Sequence, residues 1–243
     1  MNNIALLIST FDNSEDLWRP LEQTYLKFWD DINIPIYLCN NHKRFNGVLF
    51  KSLLIGDEIS WSDNLIKCLN KINQEYILLT FDDLFLIKKV DNALLEKMMT
   101  YSIENKFNYL QFYRSISRGK RISDLFFKKF NQTHYKNSTI WSFWKKDVLL
   151  KLLVKEESAW EFERKGNFRS FQLNDFYSTR ENIIPFVNGV VRGVWNPLAR
   201  NKLKLLGITI SDNRAIMGKI KMFIYKLRDL QFDFVAFLIH KIY

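Results

Sequence analysis

The sequence predicts an α/β protein: a sheet of buried strands flanked by helices, followed by a C-terminal amphipathic helix. Three observations predict it. Short apolar runs alternate with stretches of helical period through the first half of the chain. One run, Tyr76-Ile-Leu-Leu-Thr-Phe, is apolar almost throughout, as a central strand covered on both faces must be. From Arg214 onward, apolar residues recur four and three apart to the end of the chain. With 243 residues, 47% of them hydrophobic and 26% charged, the chain suits one domain, or one domain with an appendage.

Taken in order, Ile4-Ala-Leu-Leu-Ile-Ser reads as a buried strand. Ser14 to Asp31 reads as a helix with Ser14 as N-cap and Glu15 and Asp16 in its first turn. Pro20 lies inside that span, so the regular helix is expected to start after it. Ile34-Pro-Ile-Tyr-Leu-Cys is a second strand and Val48 to Leu54 a third. Ser62 to Ile72 is helical, with Leu65, Ile66, Leu69 and Ile72 on one face. After the Tyr76 strand come a helix from Asp91 to Glu104 and a strand from Tyr109 to Tyr113. Thr139 to Trp144 reads as a strand and Lys146 to Leu153 as a short helix. Ser158 to Asn188 has no clear period and many polar and aromatic residues, and is expected to form the wall of a site.

In the last segment, apolar residues fall at Ile216, Ile220, Phe223, Leu227, Leu230, Phe234 and Phe237. The cations Arg214, Lys219, Lys221, Lys226, Arg228 and Lys241 outnumber Asp229 and Asp233. A basic amphipathic helix of this kind, 211–243, predicts an interfacial anchor on a membrane surface. Docking on its own domain or on a partner subunit is the alternative.

Composition narrows the function. Lysine and arginine number 36 against 26 acids, a net charge of +10 that favours anionic partners. Neither glycine-rich phosphate-loop pattern occurs, and only eight glycines are present. The three histidines are scattered, which excludes zinc-site spacing. Cys39 and Cys68 are too few for a disulfide framework and predict a reducing, cytoplasmic compartment. The run Ile4 to Ile8 is too short for a signal peptide, and no stretch is long enough for a spanning helix.

Parallel α/β sheets bind ligands at the carboxyl ends of their strands, so the residues just past each strand are the candidates. They are Ser9, Thr10 and Asp12 after the first strand, Asn40 and Asn41 after the second, and Asp82 and Asp83 after the strongest. Adjacent carboxylates at a sheet mouth in a basic protein suit Mg2+ or Mn2+, hard cations that share their coordination with a diphosphate. A plain turn is the alternative. Ser62 and Asp63 open a helix whose N-terminus is a further donor candidate, although capping explains them equally well.

Thr80-Phe81-Asp82-Asp83-Leu84-Phe85-Leu86, an apolar strand, a carboxylate pair and an apolar-aromatic exit, resembles the metal site of GT-A type nucleotide-sugar glycosyltransferases. Thr80 stands where a strict DxD motif has its first acid. The resemblance covers roughly residues 3–200, and the chain looks like small bacterial transferases that build surface polysaccharides such as lipopolysaccharide. It implies a GT-A-like fold, a Rossmann-like mixed sheet flanked by helices, with a nucleotide-sugar half at 1–115 and an acceptor half at 116–210. It also implies transfer from a nucleotide-diphosphate sugar, UDP-sugar first, to a glycan or lipid-linked acceptor at the inner face of the cytoplasmic membrane. Ser9-Thr10-Phe11-Asp12 would then contact base and ribose, and Asp82 and Asp83 the ribose and the metal-bound diphosphate.

The base in such enzymes is a carboxylate from the acceptor side, and the cluster Glu156-Glu157-Ser-Ala-Trp160-Glu161-Phe162-Glu163 offers it. If extended, it alternates two acids on one face with two rings on the other. Glu161 is the first candidate and Glu163 the second. A solvated acidic face is the alternative. Arg164, Arg169, Arg180 and Arg192 are candidates to meet the departing diphosphate. Asn188-Gly189-Val-Val-Arg192-Gly193-Val-Trp195 suggests backbone passing close to a ligand, or equally a turn. The rival readings are a nucleic-acid-binding protein or metal-dependent nuclease, and a catalytically silent scaffold. The charge is spread along the chain and no nucleic-acid motif appears, so the nucleic-acid reading ranks lower.

Overall fold

The computed structural model describes residues 2–242, so the parts of the C-terminal reading that rest on Tyr243, and on the side chains of Arg228 and Lys241, lie outside the described residues. Strands are β1 (Ile4–Ser9), β2 (Ile36–Asn40), β3 (Phe50–Leu54), β4 (Tyr76–Phe81), β5 (Leu84–Leu86), β6 (Tyr109–Gln111), β7 (Gly119–Arg121), β8 (Phe126–Lys129), β9 (Ser142–Lys145), β10 (Phe176–Thr179), β11 (Phe186–Asn188), β12 (Val190–Val191) and β13 (Val194–Trp195). Helices are α1 (Glu15–Phe28), α2 (Trp61–Lys71), α3 (Asn92–Glu104), α4 (Lys146–Leu152), α5 (Ala159–Arg169), α6 (Pro197–Leu205) and α7 (Lys219–Ile242).

Nine strands form one mixed sheet in the order β3-β2-β1-β4-β9-β6-β10-β8-β7. Strands β3, β2, β1 and β4 run parallel, and β9 enters antiparallel between β4 and β6. The strand period of two divides the side chains between two cores. Ile4, Leu6 and Ile8 of β1 join Trp18, Leu21 and Tyr25 of α1 and Leu95 and Met98 of α3. Ala5 and Leu7 join Leu65 and Leu69 of α2, Leu149 of α4 and Phe162 of α5. A fully buried side chain of this size stabilises by about 1.5–3 kcal/mol before entropy, and five tryptophans are spent here: Trp18, Trp29, Trp141, Trp144 and Trp195.

Several expectations change. Helix α1 runs straight through Pro20, because Leu17, Trp18, Leu21 and Tyr25 bury its apolar face on both sides of the proline. Ser14 makes no side-chain cap bond; a short 3-10 turn leads into the helix. The segment 158–188 is not irregular but holds α5, β10 and β11. Arg214 lies in the loop before α7, not in the helix. Cys39 and Cys68 form a disulfide with Cα atoms 6.2 Å apart, since β2 and α2 turn the two side chains toward each other. Within the described residues, no helix is long and apolar enough to cross a membrane.

Candidate active site

The carboxylate pair sits where the central strand stops. Asp82 and Asp83 form the turn from β4 into β5. That turn is held by pairing of β5 with β11, Leu84 opposite Asn188, and by the Gly189 N–H donating to the Asp83 carbonyl at 2.7 Å. This pairing explains the apolar exit Leu84-Phe85-Leu86. Thr80 is fully buried in β4 and has no route to a ligand.

The two acids point to different neighbours. The Thr10 hydroxyl donates to Asp82 Oδ2 at 2.5 Å while accepting from Trp18 Nε1 at 2.8 Å. Asp83 lines a cavity of about 180 Å3, with Thr139, Trp160, Glu163, Asn188 and Arg192 among its walls. Burial pushes both carboxyls up, and for Asp83 the neighbouring charge of Asp82 pushes further. Opposing this, hydrogen bonds from the Thr10 and Ser14 hydroxyls lower Asp82 and a backbone hydrogen bond lowers Asp83, and the charge of Arg214 adds to both. Its guanidinium is anchored on Asp16 at 2.6 and 3.0 Å and on the Gly193 carbonyl at 3.2 Å. Arg214 was not among the arginines expected at the site; more than a hundred residues separate it from the pair, and only the loop after α6 brings it back.

The remaining candidates divide into cavity walls and braces. Asp12 accepts from the backbone N–H of Asn41, His42 and Lys43 at 3.0–3.1 Å, so its carboxylate holds the loop after β2. Asn41 accepts from the Asp12 N–H at 3.1 Å and donates to the Gly56 carbonyl at 3.1 Å. Asn40 is buried and donates to Ser52 Oγ at 3.4 Å and to the Lys43 carbonyl. Ser9 Oγ accepts from Trp61 Nε1 at 3.1 Å. Phe11, Asp12, Asn41, His42 and Asp57 surround a second cavity of about 210 Å3 at this end of the sheet. Ser62 lines neither cavity: it accepts from the Glu157 N–H and donates its own N–H to the Glu157 carbonyl, both at 3.0 Å. Ser60 caps α2, and Asp63 is held below the usual carboxylate range by the Glu156 N–H and the Ser60 hydroxyl.

The acidic cluster is helical, not extended, which reorders it. On α5, Trp160 and Glu163 are three apart and share a side, while Phe162 turns inward and is fully buried. Glu161 is the third residue of a capping box: it accepts from the Ser158 N–H at 3.0 Å and pairs with Lys165 at 3.0 Å. These contacts pull its carboxyl down to about 2, and it does not line the Asp83 cavity. Of the two acids, only Glu163 lines the cavity with Asp83. Glu163 faces that cavity, and its Oε1 accepts from Ser138 Oγ at 2.9 Å, Thr139 N at 2.7 Å and Thr139 Oγ1 at 2.9 Å.

Among the arginines, Arg169 is committed to Glu157 in a two-point pair at 2.9 and 2.6 Å, and Arg180 lines none of the cavities described here. Arg164 lies beyond Glu163, away from Asp83. Arg192 does reach the cavity, over the Trp160 ring at 5.5 Å. The glycine pattern resolves as packing and a turn. A Cβ on Gly189 would meet Phe85 at 2.4 Å, and Arg192 and Gly193, with φ of 51° and 79°, make the two-residue hairpin between β12 and β13.

No family model and no curated protein matches the chain. Among solved structures, S. aureus TarS 1–349 in complex with UDP aligns with a TM-score of 0.54 at 12% identity, over 84% of this chain and 63% of that one. The same fragment without UDP gives 0.52 at 11% identity, over 76% and 59%. UDP-glucose pyrophosphorylase complexed with UDP-glucose gives 0.50 at 8% identity, over 76% and 91%. The likeness is one of fold, and the fold is GT-A-like. The chain spans about three-fifths of the TarS fragment.

Proposed function

We propose that the protein is a glycosyltransferase that moves a sugar from a UDP-sugar to a glycan or lipid-linked acceptor, in the assembly of a bacterial surface polysaccharide. The observation that carries this reading is one cavity lined by Asp83 from the donor half and Glu163 from the acceptor half. Two neighbours of the same fold are solved with UDP and UDP-glucose, which supports the choice of nucleotide.

The cavity walled by Phe11, Asn41 and His42 suits the nucleoside, at the strand ends where such sheets hold nucleotides. Glu163 takes the proton of the acceptor hydroxyl as that oxygen bonds to the anomeric carbon and the carbon–oxygen bond to UDP breaks. Ser138 and Thr139 fix Oε1, leaving Oε2 to the acceptor. With one base and one displacement, the anomeric configuration inverts. Arg214 keeps its Asp16 and Gly193 contacts, and its charge, which already acts on Asp82 and Asp83, opposes the charge that grows on the departing diphosphate. A divalent cation belongs to this reading. Among the described residues no group of three or more acids, histidines or cysteines converges, but Asp83 lines the cavity and Asp82 stands next to it at the same turn, two carboxyls to share a cation with a diphosphate. Bound there, Mg2+ or Mn2+ would neutralise the diphosphate as it leaves. Asp83 would hold it, and Asp82, turned to Thr10, would support from behind.

Helix α7 would keep the enzyme at a membrane surface. Its stripe Ile220, Phe223, Leu227, Leu230 and Phe234 is exposed, with Lys219, Lys221 and Lys226 close by. Its other side reaches the site: Phe232 lines the cavity behind Glu163, and Asp233 pairs with Arg114 at 3.3 Å. The test is a screen of UDP-sugars for thermal stabilisation with and without Mn2+, followed by NMR of the product formed from the donor that binds. No stabilisation by any UDP compound would overturn the reading.

A further inference from the structure

We propose that the groove on the far side of Glu163 is a carbohydrate subsite, which holds pyranose rings of an oligosaccharide acceptor next to the hydroxyl that receives the sugar. Calling the ligand an acceptor rests on the glycosyl-transfer reading; the carbohydrate site itself does not.

The groove follows from the spacing along α5. Trp160, Glu163, Arg164, Asn167 and Phe168 fall on one helical stripe, and His134 and Tyr135 from the loop before β9 face it. Together they enclose about 400 Å3, which lies in the ~300–1,000 Å3 range of small-molecule sites and has room for a ligand of roughly disaccharide size. Three rings stand open there: Tyr135 is 54% exposed, Trp160 68% and Phe168 59%. In a chain that buries five of its seven tryptophans completely, such exposure is not for want of core. Tyr135 moreover takes a left-handed backbone, φ 53°, a conformation that costs energy for a residue other than glycine. Lys136 beside it is anchored, its N–H on Asn167 Oδ1 at 2.7 Å and its ammonium on the Ser170 and Leu173 carbonyls. The loop is thus fixed with the Tyr135 ring against the groove.

Flat rings with polar groups between them match a sugar, whose apolar C–H face stacks while its hydroxyls seek hydrogen bonds. His134, Glu163, Arg164 and Asn167 supply donors and acceptors. A lipid tail would leave those groups unpaired, and a nucleic acid would bring phosphates against Glu163. The groove also joins the chemistry. Trp160 and Glu163 line both it and the Asp83 cavity, and Arg192 covers the Trp160 ring on the Asp83 side only. A chain seated on the free face of Trp160 therefore ends at Glu163.

The experiment is to titrate the full chain with chitotetraose, maltotetraose and lacto-N-neotetraose, followed by tryptophan fluorescence and saturation-transfer NMR, with UDP affinity measured on the same samples. At least one tetrasaccharide binds saturably. Tyr135→Ala and Phe168→Ala weaken it at least five-fold, and Phe168→Tyr keeps it. Melting temperatures of the variants check that each is folded. Absence of binding by all three sugars, or binding that neither alanine variant weakens, overturns the proposal. A chain that binds UDP but no sugar overturns the subsite alone. One that binds sugar through Phe168 but no UDP supports the subsite and overturns the transferase reading.

Discussion

Asp83 and Glu163 are the residues on which the proposed chemistry turns. Asp83→Asn replaces a carboxyl that burial and Asp82 already push toward its neutral form, at a turn held by backbone pairing, so melting is expected to hold while transfer falls by roughly 10²–10³. Assaying both on one preparation checks it. Glu163→Gln keeps the shape and the Ser138 and Thr139 contacts but cannot take a proton, and turnover is expected to fall by ~10²–10⁴ with UDP binding retained. Glu161→Gln behaves in the opposite way. Its carboxyl is held near 2 against an unfolded value of 4.5, first by the Ser158 N–H and then by Lys165. A depressed carboxyl stabilises fully above the unfolded value and progressively less below it. Glu161→Gln is therefore expected to melt below wild type at pH 6, the gap closing as pH falls from about 4.5 toward 2, with transfer retained. A gap that does not change over that window would remove the capping account.

At the scale of elements, α5 and α7 carry most of the surprises. Helix α5 was hidden because its apolar content is low and only Phe162, Gly166 and Asn167 are buried; alternating acids and rings then imitate a strand. Its seat depends on Arg169, which joins it to Glu157 and to the Leu152 carbonyl at 2.9 Å. Arg169→Ala leaves the nearly buried Glu157 carboxylate with only the longer Lys165 contact at 3.9 Å, and stability is expected to fall by up to about 3 kcal/mol; urea unfolding measures it. A loss of nucleotide affinity without loss of stability would instead return Arg169 to the diphosphate. The apolar period of α7 was plain in the sequence, yet the structure leaves that stripe facing outward. Phe223→Glu with Leu227→Glu is expected to abolish sedimentation with anionic vesicles, and rising salt to weaken the wild type. These positions are exposed, so melting should hold; a lower melting temperature with unchanged vesicle binding would mean that the stripe packs on protein.

Across the whole molecule, Arg214 ties the two ends of the chain. It joins the loop before α7 to Asp16 of α1 and sets its charge against the acidic pair. Arg214→Met is expected to weaken UDP binding by about tenfold, the worth of one charge-assisted contact near 1.4 kcal/mol. Calorimetry with UDP against uridine separates the effect, since uridine carries no diphosphate for the arginine to meet.

What the sequence determined by itself is whatever depends on neighbours along the chain. The apolar run Tyr76–Phe81 made the central strand, the 3.6-residue period made α2 and α3, and the sheet rule pointed past the strand ends to Thr10, Asp82 and Asp83. What the tertiary structure decided depends on residues distant in the chain. Gly189 lies against Phe85, where a Cβ would clash, while its neighbours Asn188 and Val190 line the Asp83 cavity. Cys39 meets Cys68 because β2 and α2 face each other. Ser62 and Arg169 are spent on Glu157. Glu161 and Glu163 look alike in sequence, but two residues of helix, about half a turn, give the first to Ser158 and Lys165 and turn the second to the cavity. A carboxylate's chemistry is set by its burial and its partners, and those are fixed only when the chain has folded.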